Sequence, residues 1–133
     1  GETEILIVED DRDTRELLQR TLEREGWKVL TATDGIHAIE LLTSATRIPD
    51  LVLLDLMMPR LDGFGVLDTI RKNPLWVNIP VVILTAKDLT IDERMVLSQS
   101  SAAILEKGSV PPSEVLGNLR SQLTFINSKR TSS

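Results

Sequence analysis

Residues 5–11 read Ile-Leu-Ile-Val-Glu-Asp-Asp, an apolar run that ends in three carboxylates. Residues 50–55 (Asp-Leu-Val-Leu-Leu-Asp) and 80–84 (Pro-Val-Val-Ile-Leu) are similar runs, rich in leucine and β-branched residues. A strand that is apolar at successive positions has both faces covered, which is typical of a parallel sheet between two layers of helices. These stretches therefore predict a three-layer α/β fold.

The rest of the chain completes this pattern. We expect five strands, at about residues 4–8, 27–32, 50–55, 80–84 and 103–106. Apolar residues at helical spacing fill the segments between the strands. Asp34-Gly35 and Asp62-Gly63 are typical helix starts, and Asn73-Pro74 is a typical helix end. The sequence thus predicts five βα units in one domain, residues 1–127, and a polar tail at 128–133 that frays.

Composition excludes several classes of protein. The 133 residues include no cysteine, so neither disulfides nor thiolate metal sites can form. The net charge of -5 comes without a basic stripe, which argues against direct binding to nucleic acid or to an anionic membrane surface. No apolar run approaches the roughly 20 residues that span a bilayer, and the N-terminus lacks the features of a signal peptide. We expect a soluble, cytoplasmic protein.

The candidate site lies at the carboxyl edge of the predicted sheet, where ligands of open parallel sheets bind. Glu9 and Asp10 follow the first strand, Asp55 ends the third, Thr85 follows the fourth and Lys107 follows the fifth. Carboxylates that converge in this way repel one another, so the site requires positive charge. Lys107 supplies one charge. We expect a hard divalent cation that prefers oxygen ligands, Mg²⁺ or Mn²⁺ in its place, to supply the rest.

A cation beside several carboxylates suits phosphoryl transfer. Asp55 is the expected nucleophile, because a carboxylate can attack phosphorus to give an acyl phosphate. Lys107 would pair with one phosphoryl oxygen, and Thr85 would donate a hydrogen bond to another. Asp11 has a different expected role, since an acid at this place is more often a helix N-cap, here for a helix that begins near Arg12.

Four stretches of the chain carry a recognisable pattern. They are residues 5–11, 53–64 (Leu-Leu-Asp-Leu-Met-Met-Pro-Arg-Leu-Asp-Gly-Phe), 82–86 (Val-Ile-Leu-Thr-Ala) and 105–108 (Leu-Glu-Lys-Gly). In this order they resemble the receiver domains of two-component response regulators. The resemblance covers nearly the whole chain, and the four-part match is highly specific. It implies a flavodoxin-like fold with strand order 2-1-3-4-5.

The resemblance also implies roles for the site residues and for partners. Asp55 would receive a phosphoryl group from a histidine kinase or a histidine phosphotransfer protein. Glu9, Asp10, Asp55 and the backbone carbonyl of Met57 would hold Mg²⁺. Thr85 and Lys107 would contact the phosphoryl group. A downstream protein would bind the face formed by the fourth helix, fifth strand and fifth helix, which shifts on phosphorylation.

Two positions depart from the family's pattern. Ile104 stands where family members commonly have Tyr or Phe, whose ring reports the phosphorylation state. Gly108 stands where the family usually has a proline with a cis peptide, and a cis bond before glycine would cost about 2.5–4 kcal/mol. These departures suggest the hypothesis that the chain relays its phosphoryl group to another protein rather than switching an output face.

Three other functions remain open. A haloacid-dehalogenase-type phosphatase also uses an aspartate nucleophile with Mg²⁺, but it needs a second Asp two residues later, where this chain has Met57. A nucleotide- or flavin-binding module of flavodoxin type would need a Gly-rich phosphate loop, which the acidic first loop is not. A pseudo-receiver would bind partners without phosphorylation. We expect a signalling phosphoacceptor rather than an enzyme, and its parent protein can be a hybrid histidine kinase.

Overall fold

The computed structural model of this chain describes residues 2–86, 88–108 and 110–131. Strands and helices alternate in the order β1 (Glu4–Val8), α1 (Arg12–Glu23), β2 (Lys28–Ala32), α2 (Gly35–Ser44), β3 (Leu51–Asp55), α3 (Gly63–Lys72), β4 (Val81–Thr85), α4 (Ile91–Ser100), β5 (Ala103–Glu106) and α5 (Pro112–Thr131). The first and last strands have the predicted bounds, and the other three begin one residue later than predicted; β4 also ends one residue later, at Thr85. The apolar runs therefore located the strands closely.

The strands form one parallel sheet in the order β2-β1-β3-β4-β5. Val8 of β1 pairs with Ala32 of β2 on one side and with Leu54 of β3 on the other. Asp55 at the end of β3 lies opposite Leu84 of β4. The predicted flavodoxin-like strand order is confirmed, and the carboxyl ends of β1, β3 and β4 lie side by side.

Helices cover both faces of the sheet and divide the core into two clusters. Successive side chains of a strand point to opposite faces, so Leu6 and Val8 pack in one cluster and Ile5 and Ile7 in the other. The first, here the α2–α4 cluster, takes in buried residues of α2, α3 and α4. The second, the α1–α5 cluster, takes in those of α1 and α5. This arrangement is the predicted three-layer sandwich.

Aspartates begin the first three helices, as the sequence predicted. Asp11 accepts a hydrogen bond from the amide of Thr14 (2.9 Å) at the start of α1. Asp34 accepts one from His37 (2.8 Å) at the start of α2, and Asp62 caps α3 in the same way. Each cap satisfies an amide that has no partner within the helix. The expected role of Asp11 as an N-cap is confirmed.

The last helix is longer than the sequence suggested. It continues to Thr131, through part of the segment 128–133 expected to fray, and residues 132 and 133 lie outside the described residues. The division of the chain at residue 127 stays a prediction. In the part of the chain that the structure describes, no helix combines the length and the apolar character needed to cross a bilayer.

Gly35 allows α2 to start directly against the loop that follows β3. A Cβ atom at this position would lie 1.9 Å from the carbonyl oxygen of Leu61 and 2.7 Å from its carbonyl carbon. These are backbone atoms, so they cannot move aside as the end of a flexible side chain could. Glycine is therefore required for this approach between the second and third βα units.

We expect Gly35→Ala to lower the free energy of unfolding by roughly 2–3 kcal/mol, because the added methyl group overpacks a rigid contact. Gly117→Ala is the matched control. Gly117 is exposed in α5 and has no heavy atom within 4 Å of an added Cβ, so that change should raise stability by up to about 1 kcal/mol. Urea unfolding measures both, and equal stabilities of the two variants would contradict the close approach.

Candidate phosphoryl and metal site

The ends of three neighbouring strands place the predicted site residues together. Glu9 follows β1, Asp55 is the last residue of β3, and Thr85 is the last residue of β4. All three are buried, with exposed fractions of 1%, 3% and 2%. Asp10 is exposed beside them. One end of the sheet therefore has buried polar side chains under an accessible carboxylate.

The three acids are close enough to share one cation. Glu9, Asp10 and Asp55 each offer a carboxylate oxygen, and these oxygens lie within 4.8 Å of one another. Every donor in this set is an oxygen atom, which suits a hard divalent cation of the Mg²⁺ or Ca²⁺ type. The exposed position of Asp10 leaves one side of the cluster open to water and to an incoming ligand. The residues present thus fit a metal of this class.

Lys107 is the cation that the chain itself brings to the cluster. Its Nζ atom lies 2.6 Å from Oε1 of Glu9 and 3.6 Å from Oδ2 of Asp55. Its backbone amide donates to the carbonyl of Thr85 (2.8 Å), which fixes the segment after β5 against the end of β4. Burial alone would lower the pKa of Lys107, but the contact with Glu9 and the charge of Asp55 outweigh burial and raise it. The lysine is therefore held as an ammonium ion.

The buried carboxyl group of Glu9 is in an unfavourable electrostatic environment. Burial is the main cause that raises its pKa, from an ordinary value of 4.5 to about 7; the contact with Lys107 and the amide of Asp11 lower it, and the neighbouring carboxylate of Asp55 adds to the rise. The Asp11 amide donates to Oε2 of Glu9 (3.1 Å). One lysine therefore does not fully compensate the acids when no metal is bound.

Backbone groups of the loops hold the acids in place. The amide of Met57 donates to Oδ1 of Asp55 (3.2 Å). Arg15 donates through Nη1 to the carbonyl of Glu9 (3.0 Å) and also reaches that of Asp10 (3.3 Å). The sequence reasoning did not single out Arg15. Arg15 lies one turn after the Asp11 cap, where a long helical side chain points back over the preceding loop. That position in the sequence could have identified it.

Two expectations concern atoms around this cluster. The structure places the Met57 amide on Asp55, and the proposed role of the Met57 carbonyl as a metal ligand stays a prediction. At the departure from the family pattern, Gly108 is joined to Lys107 by a trans peptide and has a φ of 90°. That φ lies in the left-handed region that glycine adopts without strain, so the backbone conformation itself favours glycine at this position.

The raised pKa of Glu9 predicts how stability changes with pH. A group whose pKa is higher in the folded protein contributes stability below its ordinary pKa, here 4.5, and loses it as the pH rises through about 7. In EDTA, we expect Glu9→Gln to be more stable than the parent chain at pH 8 by roughly 1–3 kcal/mol, and similar to it near pH 4.5. Thermal unfolding over this pH range measures the difference.

Glu40→Gln is the control for this experiment, because Glu40 is exposed on α2 away from the cluster. It should leave the pH dependence of stability unchanged. A Glu9→Gln protein that is less stable than the parent at pH 8 without metal would contradict the unfavourable environment assigned to Glu9.

Two curated proteins match about two thirds of this chain. Response regulator MprA of Mycobacterium sp. (strain KMS) is 44% identical over 91 residues, which are 68% of this chain and 37% of that protein. The alkaline phosphatase synthesis transcriptional regulatory protein PhoP of Bacillus subtilis (strain 168) is 43% identical over 89 residues, 67% of this chain and 35% of that protein. The match thus spans little more than a third of the length of these relatives.

A solved structure and a family model cover more of the chain. The receiver domain of the Francisella response regulator 1452 has a TM-score of 0.81 at 27% identity, and the match covers 93% of this chain and 98% of that one. The model of the response regulator receiver domain matches residues 5–117, well over half of the chain and all the candidate site. On this match, and with the strand order that the sheet has, the chain belongs to the response regulator receiver domain family of two-component signalling.

Proposed function

We propose that this chain accepts a phosphoryl group on Asp55 from the phosphohistidine of a histidine kinase or a histidine phosphotransfer protein, in a Mg²⁺-dependent reaction. The placement of Asp55 carries this proposal. Its carboxylate is 3% exposed at a strand end, with two further carboxylates within 4.8 Å and a lysine at 3.6 Å. A buried acid with such neighbours is arranged for reaction rather than for stability.

The side chains supply the parts of a phosphoryl transfer. A carboxylate oxygen of Asp55 forms a bond to phosphorus while the phosphorus–nitrogen bond of the donor breaks and the imidazole leaves with its electron pair. A carboxylate nucleophile needs no general base. Lys107 already lies near Oδ2 of Asp55 and would pair with an oxygen of the transferred group. Thr85, buried at the end of the neighbouring strand, would donate its hydroxyl hydrogen to another.

The acids would also hold the cation. Glu9, Asp10, Asp55 and the carbonyl of Met57 are the proposed ligands, with water and phosphoryl oxygens completing the shell. When bound, Mg²⁺ or Mn²⁺ neutralises charge on the transferring oxygens. The all-oxygen donor set and its 4.8 Å span support this assignment. Lys107 and the metal together would balance the carboxylates.

Turnover as a phosphatase is less well supported. Such an enzyme needs an acid two residues after the nucleophile to act on the leaving group and on water. This chain has Met57 there, and the side chain is 57% exposed. A pseudo-receiver lacks one or more of the acceptor, the acids, the hydroxyl and the lysine, whereas all of these meet at one end of this sheet. We therefore propose a signalling phosphoacceptor.

Incubation with acetyl phosphate and Mg²⁺, followed by intact mass measurement, tests the acceptor. We expect one base-labile phosphoryl adduct per chain, lost in Asp55→Asn and lost on addition of EDTA. Asp68→Asn is the matched control, because Asp68 is an exposed acid on α3, and it should be phosphorylated like the parent. If no adduct forms even with a cognate kinase, the chain is a pseudo-receiver. Sustained release of phosphate from metabolites would instead indicate a phosphatase.

The surroundings of Ile104 support the relay hypothesis for the output. Ile104 is half-buried in β5 and packs against the α2–α4 cluster. Together with Thr85 and Leu89 it lines a cavity of about 240 Å³ beside α4. An inward movement of Thr85 would therefore have no aromatic ring to carry with it. A separate observation concerns the docking surface for a downstream protein, proposed at the face formed by α4, β5 and α5. Ile91 and Met95 of α4 are exposed at 81% and 56%, which supports this assignment.

Spectra recorded with and without a phosphoryl mimic test this hypothesis. We expect amide shifts near Asp55 and Lys107 when beryllium fluoride and Mg²⁺ are added, with only small shifts over residues 88–106. Asp55→Asn should show none of these changes, which controls for effects of the reagent on the rest of the domain. Large shifts throughout residues 88–106 would show an output face that switches and would argue against relay alone.

A further inference from the structure

The loop that joins β3 to α3, residues 56–62, directly follows the proposed acceptor Asp55. It contains Met57, whose carbonyl is a proposed metal ligand. Its two ends are fixed close together, because the amide of Gly63 donates to the carbonyl of Leu56 (3.1 Å). Near its start, the amide of Met57 donates to the side chain of Asp55. The conformation of this loop therefore determines where the Met57 carbonyl points.

The middle of the loop is strained. Arg60 has a φ of 67°, and among the described residues it is the one non-glycine with a positive φ. A side chain in this left-handed conformation costs roughly 1–2 kcal/mol. Strained positions of this kind persist where surrounding contacts hold them. The contacts of Arg60 therefore show what holds this part of the loop in its strained conformation.

Arg60 reaches across to the start of α2. Its Nε atom lies 3.3 Å from Oδ2 of Asp34, and the other oxygen of that carboxylate accepts the N-cap hydrogen bond from His37 (2.8 Å). The side chain of Asp34 is only 13% exposed. Asp34 therefore has a partner on each oxygen, one from its own helix and one from the β3–α3 loop.

Leu61, the next residue of the loop, is held between two helices, α2 and α3. Leu61 lies against Gly35 at the start of α2 and against Gly65 in α3, where an added Cβ would come within 2.4 Å of Leu61 Cδ1. Just before α2, the end of β2 contacts the loop of the metal cluster as well, since the carbonyl of Ala32 accepts a hydrogen bond from the amide of Glu9 (3.0 Å). The β2–α2 junction thus contacts both loops that carry proposed ligands.

We propose that the Arg60–Asp34 ion pair is a latch that fixes the β3–α3 loop against α2 and so positions the Met57 carbonyl for the cation. Arg60 and Asp34 are positioning residues in this proposal, since they act through the loop. The proposal rests on the proposed function, in which that carbonyl is a metal ligand.

The loss of charge and the loss of the ion pair in Arg60→Gln have opposite expected effects on Mg²⁺ affinity. Arg60→Gln removes a positive charge from the loop, so electrostatic attraction alone predicts tighter Mg²⁺ binding. Loss of the latch predicts weaker binding. Asp34→Asn removes the ion pair but keeps the cap, because Asn and Asp cap helices about equally well. In the double variant the charge effects cancel, whereas the latch stays broken.

Calorimetric titration of the metal-free chain with Mg²⁺ separates these cases. We expect Arg60→Gln, Asp34→Asn and the double variant each to bind Mg²⁺ about two- to fivefold more weakly than the parent, the range of one partly exposed ion pair. Lys72→Gln and Asp68→Asn break an exposed ion pair on α3 (2.9 Å) with the same changes of charge, and should leave the affinity unchanged.

Arg60→Gly, which removes the side chain and the backbone strain together, should also bind Mg²⁺ more weakly without a lower melting temperature.

Hydrogen exchange of the loop amides gives a second measurement on the metal-free chain. We expect faster exchange over residues 56–62 in the latch variants and no change in the α3 controls. Tighter binding by Arg60→Gln, or a double variant that binds like the parent, would overturn the latch and leave the metal site standing. A parent chain that binds no Mg²⁺ would overturn the proposed function, and the latch proposal with it.

Discussion

Repulsion between carboxylates held at the end of one sheet is the constraint on which the site depends. The parallel sheet brings the ends of β1 and β3 together, and both ends are acidic. Glu9 and Asp55 are buried, so water screens little of their repulsion. Lys107 offsets part of it from the segment after β5. Further hydrogen bonds hold the two buried acids and their loops at short range despite that repulsion.

Most of those contacts are made by backbone amides and by the starts of helices. Amides of Asp11 and Met57 donate to the two buried carboxylates, and Arg15 reaches back from α1 to the carbonyl of Glu9. Loop geometry is therefore as important to the site as the acids themselves. A strained Arg60 and a glycine without room for a Cβ, Gly35, lie where the β3–α3 loop meets the start of α2. Both keep the β3–α3 loop close to α2.

The sequence predicted the parts of this structure that have a local pattern. Continuous apolar runs located the strands, and Asp11, Asp34 and Asp62 marked the helix starts because an N-cap needs only the following turn. The site residues could be named because the carboxyl ends of parallel strands share one edge. Contacts between distant loops have no such pattern. The Arg60–Asp34 pair joins residues from two different βα units. The sequence placed Lys107 near the carboxylates, but its shorter distance to Glu9 (2.6 Å) than to Asp55 (3.6 Å) follows from the tertiary packing of the segment after β5.

The two core clusters have a consequence for how a change at Thr85 can spread. Along β4, Ile83 belongs to the α2–α4 cluster, whereas Val82 and Leu84 belong to the α1–α5 cluster. β4 therefore packs against both core clusters, so a shift of the strand along its axis would require both clusters to repack. Thr85 is the last residue of β4, so a change in the conformation of its side chain would not require the strand to slide. In the proposed function, an inward movement of Thr85 is therefore expected to involve its side chain rather than the whole of β4.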